Sequence, residues 1–372
     1  MGRSTNHSAA LTLRALNRAT LARQMLLARE DVSPLRAIER LVALQAQQAR
    51  PPFVGLWTRV AGFRREDLAR LIARRQVVRG PLLRGTLHFA TARDFVKLRP
   101  ALQPALTRAA DAILKTRMKG IDLPRAMKDV SGWLREKPRT FDQIRDLLQP
   151  RYPKGDIRAI AYAVRTHLPL VQVPSDDAPW SYTAASDFAL AAAWVGEDIA
   201  EHAGPDELVL RYLAAFGPAN ARDIQTWSGL PDTGAALERL RPKLVVLAGE
   251  KGRELYDLPK APRPPEDTPA PVRFLPEFDN LVLSHADRTR FVADAHRKRV
   301  YLPALQVAAT VLVDGFVAAA WKIERAKGAA TLVVEPFAPL AKAARGEIER
   351  EAEELVRFVE PDAAQTRVRV GK

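Results

Sequence analysis

A cadence of helices closed by a short strand pair, repeated three times before a proline-rich break, constrains this chain most. Leu13, Leu16, Leu21 and Met25 have helical spacing within residues 11–30, and Ser33-Pro34 caps a second helix over about 35–44. Pro51-Pro52 is expected to stop that stretch, with short helices over 53–60 and 65–74. The pattern then changes to strands over 77–83 and 86–90, joined by Arg84-Gly85 as a hairpin signal. Helices followed by a hairpin outline a winged helix-turn-helix. The outline recurs with helices from 139 and over 156–166 and strands at 170–173 and 180–182. It recurs again with helices over 212–227, a turn at Gly229-Leu-Pro, a helix around 237–240, and strands at 244–247 and 254–258.

Six prolines fall within residues 259–271, the clearest linker in the chain. Beyond it, strands over 308–313 and 316–323 flank Asp314-Gly315, another follows at 329–335, and a charged amphipathic helix over 340–359 precedes a closing strand at 366–370. The expected fold class is α+β, with winged helices in 1–120, 121–200 and 201–258, a linker at 259–271 and a small β-rich domain at 272–372.

Charge adds the next constraint. The net charge of +15 is concentrated: residues 1–100 hold 19 Lys/Arg against 6 Asp/Glu, or +13, and residues 201–372 balance to zero. A general arginine bias would not place the excess in one quarter of the chain. A polyanion-binding surface would, and nucleic acid fits better than membrane because no short basic amphipathic anchor is evident. Cysteine is absent, which excludes disulfides, thiolate zinc sites and a cysteine nucleophile. No apolar run approaches the roughly 20 residues that span a bilayer, and no signal core follows the first residues, so a soluble cytoplasmic protein is expected. Phosphate-loop, dinucleotide, nucleophile-elbow and metalloprotease motifs are missing, and the six histidines lack metal-ligand spacing. Neither a metal nor a cofactor is expected.

Leu44-Gln-Ala-Gln-Gln48 is the most suggestive short segment. On a helix Gln45 and Gln47 would point about 200° apart, whereas an extended backbone sets i and i+2 on one face. Two carboxamides there could hold a water by donating to it and accepting from it. The plainer reading is a helical glutamine run, since glutamine is a good helix former.

Leu41-Val-Ala-Leu-Gln-Ala-Gln47, Gly55-Leu-Trp57 and Leu83-Arg-Gly-Thr-Leu-His88 resemble the AlkZ/YcaQ family of winged-helix DNA glycosylases. The resemblance continues, in order, through Tyr212-Leu-Ala-Ala-Phe-Gly-Pro218, Trp227-Ser-Gly-Leu230, Leu275-Pro-Glu-Phe-Asp-Asn-Leu281 and Val313-Asp-Gly315 with Trp321. It implies three tandem winged helices around a concave DNA channel, then a β-barrel-like domain. It also implies that Gln45 and Gln47 are catalytic, in the Gln-apolar-Gln form of the motif; Gln48 stands where family members often carry Asp. Arg79, Arg84, Thr86 and His88 are the candidates for DNA contact or catalytic support, against the plain alternatives of a solvated strand and a structural histidine.

The resemblance implies a substrate whose chemistry suits amides. Alkylation at guanine N7 leaves a cationic base that departs readily, so the enzyme must chiefly place water at the anomeric carbon. No lysine nucleophile stands beside the motif, which favours a hydrolase over a lyase. The expected partner is duplex DNA carrying alkylated purines, met by a monomer, in repair or in self-resistance to a genotoxic natural product. A non-enzymatic winged-helix regulator or architectural factor remains the alternative, because charge and tandem hairpins serve it equally.

Overall fold

The computed structural model describes residues 10–201 and 204–371; His7, His202 and the first nine residues of the 1–120 unit lie outside them. The first block runs α1 (Leu13–Arg23), α2 (Pro34–Leu41), β1 (Leu44–Gln45), α3 (Pro51–Trp57), α4 (Arg65–Ala73), β2 (Val77–Pro81) and β3 (Leu87–Thr91). Ser33 caps α2, its hydroxyl accepting from the Arg36 amide at 3.2 Å, with Pro34 at the first helical position. Pro51-Pro52 starts α3 rather than stopping a helix, because the first turn needs no amide donors. The second block is α5 (Ala92–Leu114), α6 (Leu123–Glu136), α7 (Phe141–Leu148), α8 (Ile157–His167), β4 (Leu170–Gln172), β5 (Phe188–Leu190) and α9 (Ala191–Val195). Its second strand was expected at 180–182; Trp180 and Tyr182 instead lie in the long loop between β4 and β5. The third is α10 (Pro205–Phe216), α11 (Ala221–Ser228), α12 (Thr233–Leu240), β6 (Val245–Ala248) and β7 (Glu254–Asp257). Each block thus carries an antiparallel strand pair after its main helices, and α9 follows the pair in the second block.

The first two pairs are not separate. They merge into one sheet in the order β1-β3-β2-β4-β5, joined where Arg79 pairs with Gln172. The last region holds β8 (Arg273–Leu275), α13 (Asn280–Leu283), α14 (Arg297–Val300), β9 (Tyr301–Leu302), β10 (Gln306–Val307), β11 (Thr310–Val313), β12 (Phe316–Ala326), β13 (Ala329–Pro336), α15 (Lys342–Val359) and β14 (Gln365–Val370). The expected barrel is absent among the described residues. Five strands form an open sheet, β14-β13-β12-β11-β8, in which β14 returns parallel to β13 after α15. Closure is unnecessary because helices cover the apolar face: Phe53 and Trp57 of α3 share one core with Trp321, Val334 and Leu355. A second core joins Val78, Leu83 and Phe95 to Tyr212 and Trp227.

The proline-rich stretch is held along α1. The Arg14 Nε donates to the Glu266 carbonyl at 2.8 Å, Arg18 Nε to Thr268 at 2.7 Å, and Arg23 Nη2 to Pro262 at 3.2 Å. Six arginines of the first 60 residues also reach carboxylates beyond residue 250: Arg14 and Arg18 meet Asp314, Arg23 meets Asp257, Arg29 meets Glu351, Arg50 meets Glu277 and Arg59 meets Asp279. The local charge excess is therefore partly neutralised in space, and much of it serves packing rather than an outer surface.

Candidate active site

The glutamine motif begins where α2 ends. Val42 takes φ 69° and ψ −52°, a positive-φ, γ-turn-like conformation that a β-branched residue adopts at a cost of about 1–3 kcal/mol. The reversal lets Leu44 and Gln45 add an edge strand to β3, pairing with Phe89 and His88. The backbone is extended at Leu44–Gln45 and not helical, while Gln47 lies in a bend just past the strand. Ladder hydrogen bonding continues as the Ala46 amide donates to the Leu87 carbonyl at 2.7 Å. Across the sheet, Gln45, His88 and Gly80 share one row. Gly80 is required there, since a Cβ would sit 2.6 Å from the Leu170 carbonyl and 2.8 Å from the Phe95 ring.

Gln45 is 8% exposed, and its Oε1 accepts from Arg84 Nη2 at 2.9 Å. A guanidinium can only donate, so this contact fixes the amide orientation and turns the Gln45 NH2 away. That NH2 has no protein acceptor among the described residues. Arg84 lies in the single helical turn Leu83–Gly85 between β2 and β3, with φ 54°, and also donates to the Trp227 carbonyl at the end of α11. Burial, with Arg288 nearby, pushes the Arg84 pKa down to about 10, so the group stays cationic at neutral pH. The tip of the expected first wing is thus docked against the third block.

Gln47 is exposed, just past β1. Its Oε1 accepts from the Leu87 amide at a long 3.4 Å, and no hydrogen bond links it to Gln45. Arg79 fixes the intervening backbone: its Nε donates to the Ala46 carbonyl at 2.9 Å and its Nη2 to the Gln47 carbonyl at 3.1 Å. Arg79 is 5% exposed, and burial lowers its pKa to about 10. Of the two roles open to Arg79 and Arg84, phosphate contact or support, their geometry offers support, because both guanidiniums are already engaged inside. Thr86 Oγ1 donates to the Leu83 carbonyl at 3.2 Å and closes the turn without touching either glutamine. His88 is fully buried, with Nδ1 2.9 Å from the Thr86 carbonyl and Nε2 unpartnered. Burial first, then Arg84, hold its pKa at about 3, so it is neutral and no acid at physiological pH.

No carboxylate hydrogen-bonds to either glutamine, and no cluster of three metal-ligating side chains occurs, among the described residues. No helix is long and apolar enough to cross a membrane. Sequence reasoning missed Asn280, whose Nδ2 donates to the Ala43 carbonyl, and Gln172 on β4 beside Arg79. It also missed what the 173–187 loop does. A cavity of about 900 Å³ opens there, between Gln47 and Gln48 on one side and Trp180 and Tyr182 on the other.

The fold matches that of the Streptomyces sahachiroi DNA glycosylase AlkZ, with a TM-score of 0.79 at 20% sequence identity, covering 98% of this chain and all of that one. No curated protein matches by sequence. The family model described as "DNA glycosylase AlkZ-like" matches residues 38–358, which include the glutamine motif, all three strand pairs and four of the five strands of the open C-terminal sheet, all but β14. The chain belongs to the AlkZ-like family of DNA glycosylases.

Proposed function

We propose that this glycosylase hydrolyses the N-glycosidic bond of bulky N7-alkylated purines in duplex DNA, with Gln45 and Gln47 holding the attacking water. The observation that carries the reading is the Gln45 amide, oriented by Arg84 with its NH2 unengaged. In this reading Gln45 donates to the water oxygen, and Gln47, whose oxygen has only a long contact, accepts a water proton. The C1′–N9 bond breaks with its electron pair leaving on the cationic base, which departs neutral. The sugar becomes oxocarbenium-like, water adds to C1′, and its proton passes to solvent. Neither amide is a strong base, so undamaged neutral purines are poor substrates. Arg84 and Arg79 are positioning residues, one for a side chain and one for the loop backbone.

The strand pairs act as wings of three winged helices around a DNA channel, and the protein works as a monomer on nucleoid DNA in repair or self-resistance. The test is single-turnover release of an N7-alkylguanine from duplex DNA. Gln45→Ala and Gln47→Ala should each slow it on the order of 10²-fold, about 3 kcal/mol, with DNA affinity within a few-fold of wild type. Protein that binds DNA yet releases no base from any N7-alkylated duplex would instead favour a DNA-binding regulator.

A further inference from the structure

One short turn reaches the glutamine segment from the far end of the chain. Residues 276–279 form a β-turn in which the Asp279 amide donates to the Pro276 carbonyl at 3.4 Å, and Phe278, in the third position, takes φ 59°. A phenylalanine is disfavoured at positive φ, and such a backbone persists only where its surroundings over-determine it. Both sides of this turn are pinned. Upstream it leaves β8, where the Leu275 carbonyl accepts from Trp321 Nε1 at 2.8 Å. The Phe278 ring is buried in one core with Leu281 and Phe291.

From this turn, polar side chains reach both ends of the glutamine segment. Asn280, 2% exposed, donates through Nδ2 to the carbonyl of Ala43, which lies between the positive-φ Val42 and the strand that carries Gln45. Glu277 pairs with Arg50, the residue after Gln47-Gln48-Ala49 that opens α3. Asp279, lying between them, engages Arg59 beyond the end of α3 instead. Asn280 Oδ1 and Glu277 Oε2 are both buried without a partner among the described residues. Apolar side chains there would avoid two unpaired buried oxygens, so stability alone does not explain a polar residue at either place. What each residue does make is one contact to the segment. That segment needs outside support, because a two-residue edge strand is too short to fix its own position.

We propose that Asn280 and Glu277 are positioning residues for base excision: Asn280 sets the strand of Gln45, Glu277 acting through Arg50 sets the backbone of Gln47, and the C-terminal region thereby fixes the spacing of the two carboxamides. The inference rests on the glycosylase reading above and extends its site to the far end of the chain. Neither residue hydrogen-bonds to a glutamine side chain, so each acts through the backbone. A displacement of about 1 Å at a reacting group costs on the order of 10²-fold in rate, which is the scale on which such support is felt.

The experiment uses the full chain and a duplex carrying one N7-benzylguanine. Single-turnover release and equilibrium binding are measured for wild type, Asn280→Ala, Glu277→Ala, Glu277→Gln, Gln45→Ala and the double variant Asn280→Ala with Gln45→Ala. Exchange of the backbone amides of residues 44–46 is followed without DNA. Asn280→Ala should slow release about 30-fold and Glu277→Ala about 10-fold, with affinity within about two-fold of wild type. Glu277→Gln, which still accepts from Arg50, should stay within about three-fold. Because Asn280 acts through Gln45, adding Asn280→Ala to Gln45→Ala should cost less than about three-fold more. The three amides should exchange about 10-fold faster in Asn280→Ala. A second loss of the same size in the double variant overturns the positioning role. So does an affinity that falls in step with the rate, or amide exchange that does not change. Glu277→Ala compared with Glu277→Gln, at a partly exposed site, decides the matter if Asn280→Ala fails to fold. A wild type that frees no base sinks the glycosylase reading alone, since amide exchange still reports whether the turn holds the segment.

Discussion

Two sets of buried arginines divide the first hundred residues. Arg18, Arg23 and Arg59 end on aspartates from the far end of the chain, as in the Arg59–Asp279 pair at 2.8 Å, which also caps α13 through the Leu281 amide. Arg79, Arg84 and Arg99 have no carboxylate partner among the described residues; they donate to backbone carbonyls and to the side chains of Gln45 and Gln103. The first set is charge-compensated and ties α1 and the end of α3 to segments beyond residue 250. The second keeps its positive charge uncompensated beside the glutamines and along α5 and α8. Burial alone therefore does not say what an arginine is for; its partner does.

The sharpest way to break that division is at the compensated set. Asp279→Ala leaves Arg59 buried and unpaired, and should cost about 3–5 kcal/mol in denaturant unfolding, with base release by the surviving folded protein nearly unchanged. A stability loss below 1 kcal/mol would erase the distinction. At the uncompensated set the effects should reverse. Arg84→Lys keeps the charge but not the fork that grips both the Gln45 amide and the Trp227 carbonyl. It should slow single-turnover release by about 30-fold, roughly 2 kcal/mol, and shift the melting temperature little.

His88 tests the cost of burying an imidazole beside Arg84. Its pKa is depressed in the folded state, so the unfolded chain binds the extra proton; stability is fully present above about pH 6.5 and declines as pH falls toward 3. His285, buried and pushed well below its ordinary value, adds in the same direction. Each contributes a slope of up to about 1.4 kcal/mol per pH unit. Comparing wild type with His88→Asn between pH 6.5 and 4.5 should show the slope reduced by one proton; parallel curves would refute the assignment. The smallest effect belongs to the outer surface. Arg93 is exposed and without a carboxylate partner among the described residues, and Arg93→Ala should weaken DNA binding only a few-fold while lowering the salt slope by about one.

Local chemistry made part of this molecule legible. The cap at Ser33, the Asp314-Gly315 turn and the third strand pair follow from short-range rules, and the extended backbone at Gln45 was one of the two readings the motif left open. The reason for that extension was not legible. It comes from Val42 and from pairing with β3, whereas Pro51-Pro52 opens the next helix. The 23-residue α5 escaped notice because Pro100 and Pro104 lie inside it, where tertiary packing against α8 overrides their local cost. Least legible were the arginine pairs. A charge count cannot tell a cation aimed at phosphate from one clamped to an aspartate 220 residues away.

The clamps on α1 also set a timetable for synthesis. Arg23 precedes Asp257 by 234 residues, and Arg18 precedes Asp314 by 296. At about 5–20 residues per second, α1 leaves the ribosome roughly 15–60 seconds before the aspartate of Arg18 is made. Until then, burying the helix would strand charge in the core, so α1 stays hydrated and the nascent chain cannot finish its first block in order of emergence. Helix α1 is then among the last parts to close, after the Asp314 turn has been made.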